Sequence, residues 1–177
     1  MAMRPVTNQP TKKEMLRKLI NFFVYETRGQ ITKTQLVKFI YLADLYAVKW
    51  TNQQLTDLDW RFYYYGPWEG KIDKTLNEMN GGDICLEGAE QSIFIRRGPT
   101  SSYPSELPLS LRLILENIRR DWAGGERFKE MLDYVYHTAP MVEAKQNHRP
   151  EERARLNLVR EREKLLAELS HDTFLNY

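Results

Sequence analysis

A single cysteine, Cys85, and three histidines stand among 177 residues. One thiol cannot close a disulfide within the chain, and no Cys-x-x-Cys metal spacing can be drawn from it. His137, His148 and His171 are scattered, and none accompanies a G-x-S-x-G turn. The chain has no phosphate-binding glycine loop, no HExxH pair and no calcium loop. Nucleophilic catalysis needs a hydroxyl or thiol beside an oriented base. No such pairing is legible, so we expect no catalytic residue, no metal and no cofactor. No apolar run approaches the roughly 20 residues of a membrane span. Residues 1–13, polar with Pro5 and Pro10, lack the apolar stretch of a secretory leader. With the lone thiol, this predicts a cytoplasmic chain with no membrane partner.

Charge of one sign is missing too. Lys and Arg number 26 against 24 Asp and Glu, a formal charge of +2. Nucleic-acid binders usually carry a stronger or more segregated basic excess, which argues against that class of partner. What is present is apolar and aromatic: 42% hydrophobic and 12% aromatic residues, enough for one ordered domain.

Residues 1–10 read as a flexible arm. Thr11 and Glu14 make a capping box, and Met15, Leu16, Leu19, Ile20 and Phe23 follow at helical spacing to about Thr27. Thr32 caps a second helix, about 33–50. On it Thr34, Lys38, Tyr41, Leu45 and Lys49 form one narrow stripe, with Leu36, Phe39, Ile40, Ala43, Ala47 and Trp50 opposite. A helix apolar over so much of its girth must be covered on several sides. Residues 59–64 have β propensity and run into Gly66-Pro67, a turn signal. Ile72, Leu76 and Met79 mark a third helix, and 84–87 with 92–96 make a hairpin.

The second half reads helical. One helix carries Leu111 to Trp122, and another carries Phe128 to Tyr136 and stops at Pro140. Residues 141–150 read as a connection, and 151–169 as a last helix with Leu158, Leu165, Leu166 and Leu169 as its stripe. The fold expected is mainly helical α+β. Its helices pack around the central helix 33–50, with a small antiparallel sheet from 59–64, 84–87 and 92–96. The chain divides into the arm (1–10), a domain (11–145) and a C-terminal helix (146–177) that is a candidate partner-binding extension.

Two features invite a functional reading. Asp44 interrupts the apolar run of the central helix, and a buried carboxylate needs donors. We expect a structural tie, to Arg61 or a tyrosine hydroxyl. In the strand, Trp60, Phe62 and Tyr64 share one face and Arg61, Tyr63 and Tyr65 the other. One set fills the core, and Trp60, Tyr63, Tyr65 and Trp68 are candidate anchors for a protein partner, a role Tyr and Trp often take. The order of helices, strand and hairpin also fits a winged helix with Arg96-Arg97 on the wing. Its third helix, however, has a charge of −1 from Glu69, Lys71, Asp73, Lys74 and Glu78, which offers phosphates little.

Lys38-Phe39-Ile40-Tyr41-Leu42-Ala43-Asp44 resembles the K-L-x-Y-[LF]-A-[DE] helix of the SocA-like, Panacea-domain family of bacterial and phage proteins. Tyr65-Gly66-Pro67 is similar to that family's YGP turn. His137-Thr138-Ala139-Pro140-Met141 resembles its later H-T-x-x-W element, with Met141 where tryptophan is usual. The resemblance covers about residues 14–145. It marks Lys38, Tyr41, Asp44, Gly66, Pro67 and His137 as structural motif positions. It implies an antitoxin that neutralises a protein toxin by direct binding, with the chain ends helping to choose the partner. A proteolytic adaptor and a winged-helix regulator stay as alternatives, and homo-oligomerisation stays open.

Overall fold

The computed structural model describes residues 10–174. The expected arm, residues 1–10, lies outside them except for Pro10.

Helix α1 spans Lys12–Glu26. The Thr11 hydroxyl accepts from the Glu14 N–H, and the Glu14 carboxylate accepts from the Thr11 N–H, 2.7 Å away. Thr32 and Gln35 repeat the device at the start of α2, Lys33–Thr51. Each box satisfies two backbone donors that a helix start otherwise leaves unpaired. Helix α2 is the axis of the molecule. Every residue from Phe39 to Leu45 is fully buried, and the helix is wrapped by α1, α4 (Leu109–Trp122), α5 (Phe128–Tyr136) and α7 (Val159–Phe174). The stripe expected to be the more polar one is covered as well: Lys38, Tyr41 and Leu45 are all buried. Trp50, expected on the inner face, is instead 60% exposed, at the last turn beside solvent.

The mainly helical α+β class holds, but the strands form two separate sheets. β1 (Arg61–Tyr63) does not join the later hairpin. It reverses through Tyr64-Tyr65 and pairs with β2 (Gly66–Trp68), Phe62 facing Pro67 and Tyr63 facing Gly66. Gly66 has φ +95°, a conformation that glycine alone adopts without strain, and this permits the reversal. Helix α3 (Gly70–Met79) follows. β3 (Ile84–Gly88) and β4 (Ile93–Arg97) make the second hairpin, with half-buried Cys85 inside β3. Its outer strand reaches back to the start of α2: Ile95 N–H donates to Ile31 O at 2.9 Å, and Thr32 bridges Phe94.

The last third departs most from expectation. Pro140 does not end a helix but lies in the first turn of α6 (Ala139–Asn147), where the missing N–H costs nothing. The expected connection at 141–150 is therefore largely helical. The helix expected at 151–169 begins only at Val159. Before it, a short 3₁₀ turn at Pro150–Glu152 leads into an extended segment that pairs with β1. Phe62 N–H donates to Ala154 O and Leu156 N–H to Trp60 O, each at 2.8 Å. Leu156 and Leu158 are buried two residues apart, the spacing of an extended chain rather than a helix. Helix α7 is then fastened at two points. Buried Glu161 accepts from the Ala139 N–H at 2.8 Å, and Arg162 donates to Lys49 O at 2.9 Å, near the end of α2.

Among the described residues no helix is long and apolar enough to cross a membrane, and no group of His, Cys, Asp and Glu could hold a metal ion.

Candidate functional site

Three side chains of α2, each about a turn from the next, hold three different parts of the chain. Asp44 holds the loop after α2. Its Oδ1 accepts from the backbone N–H groups of Leu55 at 3.1 Å and Thr56 at 3.0 Å. Its Oδ2 accepts from the Thr56 hydroxyl, the Trp60 indole at 2.9 Å and the Gln54 amide at 3.1 Å. Burial pushes the carboxyl above its usual range, and these donors oppose that shift. The expected tie therefore exists with other partners: neither Arg61 nor a tyrosine takes part. Arg61 pairs with Asp59, which also meets Arg155 at 2.8 Å.

Tyr41 holds the junction of α5 and α6. The Thr138 hydroxyl donates to Val135 O at 2.7 Å, so Tyr41 donates its own hydroxyl to Thr138 Oγ1 at 2.9 Å. At the same junction His137 Nδ1 lies 2.6 Å from the Asp133 carbonyl at the end of α5.

Lys38 holds the β1–β2 turn. It is 3% exposed, and Nζ donates to Pro67 O at 3.1 Å. A side chain at position 66 would bring its Cβ within 3.1 Å of Nζ, a tight contact that adds to the cost of its left-handed φ. Loss of hydration depresses the Lys38 ammonium to a pKa of about 8. Lys38, Tyr41, Asp44, Gly66, Pro67 and the His137-Thr138 pair thus form one framework centred on α2.

The candidate anchors separate into two kinds. Trp60 is 2% exposed, with its indole committed to Asp44 and its ring edge-on to Tyr41, so it belongs to the core and cannot touch a partner. The other aromatics surround the hairpin tip. Tyr65 is 79% exposed, Tyr64 and Trp68 are exposed, and Tyr63 is half-buried between Tyr64 and Trp68. Tyr64 leaves the Trp60–Phe62 face because the turn begins there, and its hydroxyl donates to Glu151. Arg153, from the segment before α7, lies over the rings of Tyr63 and Trp68 at 4.9 and 5.7 Å. No local pattern could place Arg153 there, since its partners lie about 90 residues upstream. Beside the tip, α2, the hairpin and α3 enclose a groove of about 270 Å³, lined by Lys33, Val37, Lys38, Tyr65, Trp68 and Ile72 among others.

Residues 36–106 match the model of the family described as antitoxin SocA-like, Panacea domain. The Panacea match contains Lys38, Tyr41, Asp44, the β1–β2 hairpin, α3 and the second hairpin. It is shorter than the motif resemblance, and the His137-Thr138 junction lies outside it. No curated protein and no solved structure matches the chain.

Proposed function

We propose that this protein is the antitoxin of a toxin–antitoxin pair and that it neutralises a protein toxin in the cytoplasm by direct binding. The observation that carries this reading is the Panacea match over residues 36–106. The exposed rings of Tyr64, Tyr65 and Trp68, beside half-buried Tyr63, lie inside the matched span and supply the contact surface. Aromatic side chains held on a short, internally tied hairpin lose little conformational freedom on binding, which favours affinity. The test is growth of cells expressing the adjacent gene with and without this one. Rescue by this protein, with the two chains co-purifying, is the expected result. A neighbour that is harmless alone, or toxic in both cases, refutes the reading.

A second reading rests on the contact of Ile31-Thr32 with β4, which adds a short third strand to the second hairpin as in a winged helix, although the β1–β2 hairpin stands between α2 and α3. The charges oppose it. Arg96 donates to Gly29 O and pairs with Glu87, and Arg97 is engaged with the Tyr25 carbonyl and ring, so neither is free for a phosphate. On α3, Asp73 pairs with Lys33 and Glu78 with Arg17. A gel shift on the gene's own promoter at low salt separates the two readings, because phosphate-driven binding is strongest there.

A further inference from the structure

We propose that the groove between α2, the β1–β2 hairpin and α3 is a carboxylate-accepting subsite, in which an acidic side chain or chain-terminal carboxylate of the protein partner pairs with Lys38 between Tyr65 and Trp68. That the partner is a protein rests on the antitoxin reading; the carboxylate chemistry rests on Lys38 alone.

An ammonium group carries three donors. Lys38 Nζ uses one, on Pro67 O, and among the described residues it meets no carboxylate. The other charges lining the groove are engaged. Lys33 pairs with Asp73 at 2.6 Å, and Glu69 accepts from the Lys71 N–H at 2.9 Å as the cap of α3. Of the two lysines lining the groove, Lys33 has a carboxylate opposite it, and Lys38 pairs with none among the described residues. A lone buried cation is costly, and an opposing charge relieves that cost in proportion to how dry the site is. Val37, Pro67 and Ile72 keep this one apolar. Glycine at 66 lets the hairpin backbone pass close to Nζ, which a Cβ there would meet at 3.1 Å. The volume, about 270 Å³, suits one inserted side chain rather than a whole cofactor. A neutral carbonyl would satisfy a donor but not the charge.

The test follows the titration of Lys38 in the full chain by NMR of its ¹³Cε-labelled side chain. The probes are N-acetylaspartate amide for a side-chain source, N-acetylphenylalanine for a terminal one, and N-acetylasparagine amide as the neutral control. We expect one of the carboxylates to raise the Lys38 midpoint by ~1 pH unit or more, because it favours the charged form, with the neutral amide inert. In parallel, Lys38→Met, checked for fold by circular dichroism, should bind neither carboxylate and should bind the toxin at least ~10-fold more weakly. The proposal is overturned if neither carboxylate moves the midpoint, if the amide moves it equally, or if folded Lys38→Met binds toxin normally. The NMR arm stands even if Lys38→Met does not fold. Should the neighbouring gene encode no toxin while a carboxylate still moves Lys38, the antitoxin reading fails and the subsite remains.

Discussion

The Trp60 indole donates to Asp44 Oδ2 at 2.9 Å, and each group is buried against the other. Asp44→Ala would strand that indole, the Thr56 hydroxyl and two backbone N–H groups in the core. Each stranded donor costs about 1–3 kcal/mol, so a loss of at least about 3 kcal/mol is expected in urea denaturation. Trp60 emission should shift to the red as water reaches the ring. Asp44→Asn, which keeps one acceptor oxygen, should lose distinctly less. A small loss for Asp44→Ala would mean that the loop is held by packing alone.

Lys38 predicts an unusual pH dependence. Its folded pKa, about 8, lies below the ordinary 10.5. From pH 8 to 10.5 the unfolded chain therefore binds more protons than the folded one, and this group makes stability rise with pH. Below pH 8 the cost of the buried charge is present in full, on the order of 3 kcal/mol. Lys38→Met should be more stable than the parent at pH 7, and the gap should narrow by pH 10. Paired denaturation curves at pH 7 and pH 10 check the sign. A gap that does not change with pH contradicts it.

Gly66→Ala combines a left-handed φ with a Cβ pressed on Lys38 Nζ. A loss of about 1–3 kcal/mol is expected. Because Lys38 is flexible at its far end, the double variant with Lys38→Ala should recover part of it, which a double-mutant cycle would read.

The rings at the hairpin tip separate stability from binding. Tyr65→Ala should leave stability within about 0.5 kcal/mol, because the ring is almost wholly in solvent. If the tip is the contact surface, the same change should cost about 2 kcal/mol of toxin affinity, roughly 30-fold in Kd. Unchanged neutralisation by Tyr65→Ala and Trp68→Ala would move the interface elsewhere, with the exposed Leu166 and Leu169 of α7 next to be tested.

Removal of residues 153–177 should behave as damage to the core, since it deletes buried Leu156 and Leu158 together with the bonds to β1. Two buried leucines alone account for about 3–6 kcal/mol. A thermal melt lowered by only a degree or two would mean that this segment contributes little to stability.

What the sequence made legible was mostly local. Thr11 with Glu14 starts α1 by contacts three residues apart, Thr32 marks the start of α2, and the polar turn between Ile84 and Ile95 announces the second hairpin. Alternation placed Trp60 with Phe62, but alternation does not say which face meets the core. Asp44 answered that, through a loop that no spacing rule describes. Lys38 counts as polar in any projection, and only the tertiary fold shows that it is covered. Residues 151–158 were misread because their mixed charges imitate a solvated helix, while the pairing of Leu156 with Trp60 spans nearly a hundred residues. At the candidate site the motif residues were readable; the groove and Arg153 were not, since both arise from distant segments meeting.

The fastening of α7 to α2 also has a consequence during synthesis. Lys49 and Arg162, which join the two helices, are 113 residues apart. At the usual pace of translation the ribosome needs on the order of ten seconds to cover that distance. Through that interval a helix buried along most of its length in the finished fold is out of the exit tunnel without its last neighbour. The nascent chain is thus a natural client for chaperones, and any pause between α2 and α7 lengthens its exposure.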